Sequence, residues 1–267
     1  MCDQTRKLRR RAVGQACILA ERGLAVVGVA RPQALLLMGH MRCGSTLLLH
    51  LLMTNPQVSG QGERNAVYAS GADLARLALS TRLAHAAPLR RLRYVADQVN
   101  HNHAIPEERV LRQGRVKALF LLRGSDAALA SLLELSRRFY EGAWSCERAL
   151  DYYIGRVARL RELGETLAPG QAAFLTYETL TAQPAEALES LRVFLGLAQG
   201  FSQDYAIHAF TGERGDPGPR IASGRVQPAA RVPELTVADP RQLERARAAY
   251  RSCRQGLARF ALLAADR

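Results

Sequence analysis

Apolar residues in this chain occur in two arrangements: short unbroken runs, and longer stretches in which they recur every three or four positions. Four short runs, 34–39, 57–59, 116–122 and 172–177, predict strands, most of them apolar enough to be buried on both faces. The longer spacing predicts helices over 72–86, 88–100, 126–140, 146–166 and 184–195, and a last one over 239–263. A further leucine-rich helix begins near Ser45 and is stopped by Asn55-Pro56, while Pro169-Gly170 ends another and Asp126 is placed to N-cap a third. Strands alternating with helices predict an α/β fold, a mostly parallel central sheet with helices on both faces. A ligand then belongs at the carboxyl ends of the strands.

The chain has 267 residues, no internal repeat and no linker, and reads as one domain over 1–267. Residues 1–32 form a helical extension with a basic start, and Glu21-Arg22 interrupts its apolar stretch after a few residues. An amphipathic helix packed on the domain is expected there, not an integral membrane segment. Between 211 and 233 the composition shifts to Gly, Pro and Arg, and a loop that long is usually functional or disordered.

The run 34–39 leads into Gly39-His40-Met41-Arg42-Cys43-Gly44-Ser45-Thr46 and then into the leucine-rich helix. Strand, glycine turn and helix N-terminus together aim backbone N–H groups and a partial positive charge at an anion. Gly39 and Gly44 have Walker A spacing, giving a P-loop nucleotide-hydrolase-like pattern, but Ser45 stands where the lysine belongs and the cation is Arg42. Such a loop suits an anion other than a metal-bridged triphosphate. A phosphatase loop is excluded, since Leu49 occupies the position of its arginine, six residues after Cys43.

The formal net charge of +13 suits an anionic ligand. Only two of the 37 basic residues, Lys7 and Lys117, are lysine, and the arginines are scattered among acids along helices. With no aromatic-basic platform, this argues against nucleic acid. The five cysteines are odd in number and far apart, and contain no C-x-x-C. They suggest neither a disulfide framework nor a zinc site, and fit a cytoplasmic protein.

Arg42-Cys43-Gly44-Ser45-Thr46 after an apolar strand resembles the 5′-phosphosulfate loop of sulfotransferases that use 3′-phosphoadenosine-5′-phosphosulfate (PAPS). A second motif agrees. The strand 116–122 ends in Arg123, and Ser131 follows eight residues later, the arrangement that binds the 3′-phosphate in that family. An arginine there repels the Mg²⁺ that a nucleotide hydrolase recruits with an aspartate. The segment around Tyr177 looks like the strand whose tyrosine lies near the adenine, and Arg220 to Arg225, with Gly224 between, resembles the cationic loop that closes over the phosphates. Departures are Cys43 where serine is common, Gly124-Ser125 in place of Asp-Pro, and no Arg-Lys-Gly. The resemblance spans 34 to 225 and is thin from 64 to 115.

The resemblance implies PAPS as donor, adenosine 3′,5′-bisphosphate as product, no metal, and a small-molecule or carbohydrate acceptor bearing a hydroxyl. Arg42 would neutralise the bridging and leaving oxygens, aided by the loop N–H groups and by Ser45 and Thr46. Glu63, just after the short run 57–59, is the first choice for the base, with His101 and His103 as runners-up. Two rival readings are a P-loop kinase or nucleotide hydrolase and a non-catalytic basic anion-binding module. The acceptor's identity and the oligomeric state are not encoded in any motif.

Overall fold

The computed structural model describes all residues except 1, 27, 86–91, 214–215, 230–234 and 236–238; it does not describe the side chains of 2–11 and 85. Its elements in order are α1 (Cys2–Val26), β1 (Gln33–Met38), α2 (Ser45–Leu52), β2 (Val58–Gly60), α3 (Gly71–His85), β3 (Tyr94–Val99), α4 (Glu108–Leu111), β4 (Val116–Leu122), α5 (Ser125–Phe139), α6 (Cys146–Glu165), β5 (Ala172–Thr176), α7 (Tyr177–Ala182), α8 (Pro184–Leu195) and α9 (Pro240–Leu257). The strands form one parallel sheet in the order β2-β3-β1-β4-β5.

β1 lies at the centre, and Leu35, Leu36, Leu37 and Met38 are fully buried, as a strand covered on both faces requires. One face packs against α3, α5, α6 and α9 through residues such as Leu77, Leu129, Val157 and Leu257. The other packs against α2 and α8 through Leu48, Leu52, Leu188 and Leu191. The chain leaves β1 towards α2 on one face and β4 towards α5 on the other. The carboxyl ends of these neighbouring strands therefore diverge, which opens a crevice there.

The N-terminal helix packs on α3. A Cβ on Gly14 would come within 2.8 Å of the Ala72 Cβ, and a buried Glu21–Arg82 ion pair at 3.5 Å ties the two helices. No helix among the described residues is long and apolar enough to cross a membrane.

Two expectations need correction. Residues 94–99 of the expected 88–100 helix form β3, a central strand; 88–91 lie outside the described residues. Leu89, Leu92, Val95 and Val99 have helical spacing, but Val95 and Val99 face one layer while Tyr94 and Ala96 face the other, the period of a strand. Tertiary partners hold the carboxylate in its middle. Asp97 accepts from Tyr68 Oη at 2.5 Å and from the Arg64 N–H at 3.1 Å. The second correction is that Gly124, not Asp126, caps α5, and Asp126 lies in the first turn, paired with Arg247 at 2.6 Å.

Burial pushes the Asp97 carboxyl up from 3.8 to about 7, against the opposing pull of Tyr68 and Arg64. The folded protein therefore holds this proton more tightly than the unfolded chain. Its contribution to stability is complete below about pH 4 and is lost as pH rises through 7, by at most about 1.4 kcal/mol per unit. Asp97→Asn cannot ionise, so its melting temperature is expected to fall less than the wild type's between pH 4 and 8. Equal falls would exclude Asp97 as the titrating group.

Candidate active site

Beyond β1 the chain turns sharply through 39–44. Gly44 has φ 95°, and a Cβ there would lie 2.5 Å from the Tyr177 ring, so this position excludes every side chain. Arg42 also sits in the left-handed region, at φ 68°, a conformation costing roughly 1–2 kcal/mol for a residue with a Cβ. Strain of that kind persists only where the surroundings enforce it.

Helix α6 provides the enforcement. Fully buried Arg156 donates to Gly39 O at 2.7 Å, to His101 O at 3.1 Å and to Val99 O, tying the loop to the end of β3. Tyr152 accepts the Met41 N–H at 2.7 Å and donates to Asn100 O at 2.6 Å. Tyr153 donates to Arg123 O at 2.8 Å. The spacing of 152, 153 and 156 puts all three on one helical face.

His40 completes the frame. Its Nε2 accepts the Arg123 N–H at 3.1 Å, so the proton is on Nδ1, 2.9 Å from Met41 O. Burial pulls its pKa down to about 4, which keeps this bridge between the two arginine-bearing loops uncharged near neutrality.

The framed loops border a cavity of about 510 Å³. Arg42 donates Nε to Ser131 Oγ at 2.9 Å, and its Nη1 and Nη2 reach the two Asp216 oxygens at 2.9 and 3.3 Å. Arg123 donates Nη1 to Arg42 O at 3.2 Å, and its guanidinium lies 4.5 Å from the Tyr177 ring centroid. Ser45 and Thr46 donate their hydroxyls to Gln98 Oε1 at 2.7 and 3.3 Å, and Asn100 donates to Ser45 Oγ at 3.0 Å. All these residues except Gln98 line the cavity, with Met41, Leu135, Tyr140 and Trp144 adding apolar surface.

Glu63 and His101 meet at its edge, with Nε2 and Oε1 3.3 Å apart. Burial raises the Glu63 carboxyl above its usual range, with Asn100 and Arg156 pulling it partly back. Burial, His103 and Arg156 lower His101, so a neutral imidazole faces the acid. His103 stacks on His101 at 5.3 Å but is exposed and does not line the cavity.

Arg220 and Arg225 line the cavity from the 211–233 segment, and Arg220 donates to the carbonyls of Gln227 and Pro228. Gly224, at φ 70°, ends a short turn over Ile221–Ser223, and its carbonyl accepts from the Tyr205 N–H at 2.7 Å. Cys43 points elsewhere. It is fully buried, its N–H is used by His40 O at 3.1 Å, and burial raises its thiol pKa, which leaves it no activated-thiol character.

Four buried polar atoms near the loops lack a hydrogen bond among the described residues: Glu63 Oε1, Gln98 Nε2, Asn100 Oδ1 and Arg123 Nε. Buried polar groups are normally satisfied, so such a cluster marks a site built for something polar. Sequence reasoning missed Gln98 and Asn100, Asp216, and the α6 residues that hold the loop. Gln98 lies in β3 and Asn100 directly after it, and the strand period there was masked by helical spacing. Asp216 carried no local signal, and the helix over 146–166 was legible but nothing in it pointed to a role at the site.

No protein-family model matches the chain, and no curated protein matches it either. Among solved structures, the sulfotransferase domain of the Synechococcus PCC 7002 olefin synthase superposes with a TM-score of 0.52 at 15% identity, covering 81% of this chain and 94% of that one. This chain has a sulfotransferase fold. Looser superpositions are found with a sulfotransferase domain from the curacin biosynthetic pathway (TM-score 0.49, 12% identity, 81% of this chain and 96% of that one) and a sulfotransferase from Alicyclobacillus acidocaldarius (0.47, 15%, 69% and 90%). In this sulfotransferase fold the cavity sits in the crevice outside the carboxyl ends of β1 and β4.

Proposed function

We propose that this chain is a sulfotransferase that moves a sulfuryl group from PAPS to the hydroxyl of a small-molecule or carbohydrate acceptor. The observation that carries the reading is the convergence of Arg42 and Arg123, from the ends of two adjacent parallel strands, with Ser131 on one glycine loop. The unpaired Nε of Arg123 fits an oxyanion ligand bound at that loop.

PAPS supplies the sulfuryl group and leaves as adenosine 3′,5′-bisphosphate. Arg42, the loop N–H groups and the hydroxyls of Ser45 and Thr46 neutralise charge on the sulfuryl and 5′-phosphate oxygens. Arg123 and Ser131 take the 3′-phosphate, and Tyr177 lies beside the purine. Arg220, Gly224 and Arg225 close over the phosphates. Glu63 removes the acceptor's proton as its oxygen bonds to sulfur. A kinase is disfavoured because β4 is followed by Arg123, a cation where a metal-binding acid is needed.

Nucleotide preference tests the reading. Adenosine 3′,5′-bisphosphate is expected to raise the melting temperature without Mg²⁺, and ATP with Mg²⁺ to raise it far less. The reverse preference would assign the loop to ATP chemistry. In the same assay Arg123→Ala should weaken adenosine 3′,5′-bisphosphate by roughly 1.5–3 kcal/mol, the size of a charge-assisted hydrogen bond. Adenosine 5′-monophosphate, which lacks the 3′-phosphate, should be little affected. Equal weakening of both would move Arg123 away from the 3′-phosphate.

A further inference from the structure

A carboxylate already occupies the guanidinium that the donor is proposed to need. Asp216 and Arg42 form a two-pronged pair at 2.9 and 3.3 Å, the geometry arginine also uses for phosphate. The contact is held from several sides. The Asp216 N–H donates to Thr46 Oγ1 at 3.0 Å, so the same residue grips both a loop cation and a loop hydroxyl. The Gly218 N–H donates to Asp216 Oδ1 at 2.8 Å and fixes the rotamer. On one side the segment is anchored by Thr211 Oγ1, 2.8 Å from Nε2 of buried His50, and on the other by the Tyr205–Gly224 backbone bond at 2.7 Å.

With Nε on Ser131 and one N–H of each Nη on Asp216, Arg42 meets an incoming anion with its charge neutralised and three of its five donors engaged. Three further arginines, Arg123, Arg220 and Arg225, line the same cavity, so it attracts anions even with Asp216 in place. The side chains of Arg42 and Asp216 are 18% and 28% exposed, which leaves the pair open to exchange with a dissolved anion.

We propose that Asp216 is an internal competitor for the donor: its carboxylate fills the anion seat on Arg42 until an anionic group of the donor replaces it, and so it sets donor affinity. The inference rests on the reading of 39–46 as the donor's anion loop. Binding is then an exchange of one anion for another on Arg42.

The opposite role, a carboxylate that positions Arg42 for the donor, predicts the opposite sign. Calorimetric titration of the full chain separates them, using wild type and Asp216→Asn with two probes, adenosine 3′,5′-bisphosphate and inorganic sulfate. Asparagine keeps the size, and its carbonyl can still accept from Arg42 and Gly218. The competitor role predicts that both probes bind the variant about tenfold tighter or more. Weaker binding would make Asp216 a positioning residue, and unchanged binding a mere strut; either overturns the proposal. If sulfate alone binds, and tightens in the variant, the exchange stands and the nucleotide reading falls. If the nucleotide binds both proteins equally, the nucleotide reading stands and the exchange falls; if neither probe binds either protein, both fall. Asp216→Ser, which also removes the carboxylate, should shift binding in the same direction and replaces the first variant should that one not fold.

Discussion

Glu63→Gln is expected to slow sulfuryl transfer by about 10²–10⁴, the contribution of a positioned general base, while leaving donor affinity almost unchanged. Glutamine preserves the shape of a side chain that is 16% exposed at the cavity edge, and removes only its basicity. The sign of the pH effect follows from the site. Burial raises the Glu63 carboxyl, so the wild-type rate should fall on the acid side at a pH above the ordinary carboxylate range, as the base takes up its proton. The variant should lack that limb. Single-turnover rates across pH check both points. A variant keeping most of its rate, or an acid limb that survives the substitution, would shift the role to His101, 3.3 Å away.

The second large effect belongs to Arg42. Arg42→Ala is expected to lower turnover by about 10²–10³, the range seen when one preorganised donor to a developing oxyanion is lost. Two structural consequences must be separated from the chemistry. Residue 42 sits at φ 68°, where alanine keeps the backbone cost, whereas asparagine tolerates that region well. Asp216 also loses its partner. Comparing turnover of Arg42→Ala and Arg42→Asn, with melting temperatures alongside, isolates the guanidinium. Turnover near wild type in both folded variants would remove Arg42 from the reaction.

The amino-acid sequence by itself determined the elements that bury apolar surface on both sides. The runs that become β1, β4 and β5 are apolar at nearly every position, and only strands covered by two layers of helices can hide them. The strand–glycine turn–helix order around 39–46 was legible for the same reason, because backbone N–H groups and a helix N-terminus need only local chain to assemble. The spacing of Arg123 and Ser131 was legible too, since both stand in one strand-to-helix connection.

Tertiary structure decided what depends on distant partners. β3 carries Asp97 and Gln98 in its middle, and its spacing mimics a helix; it is a strand because neighbours on both sides supply the ladder, while Tyr68 bonds Asp97 and Ser45 and Thr46 bond the Gln98 oxygen. The left-handed Arg42 is invisible in one dimension, because the force that holds it comes from Tyr152, Tyr153 and Arg156 more than 100 residues away. Arg42 and Asp216 are separated by 174 positions, and no local pattern links them. Their pairing exists only because the sheet delivers one residue and the chain around Asp216 delivers the other to the same crevice.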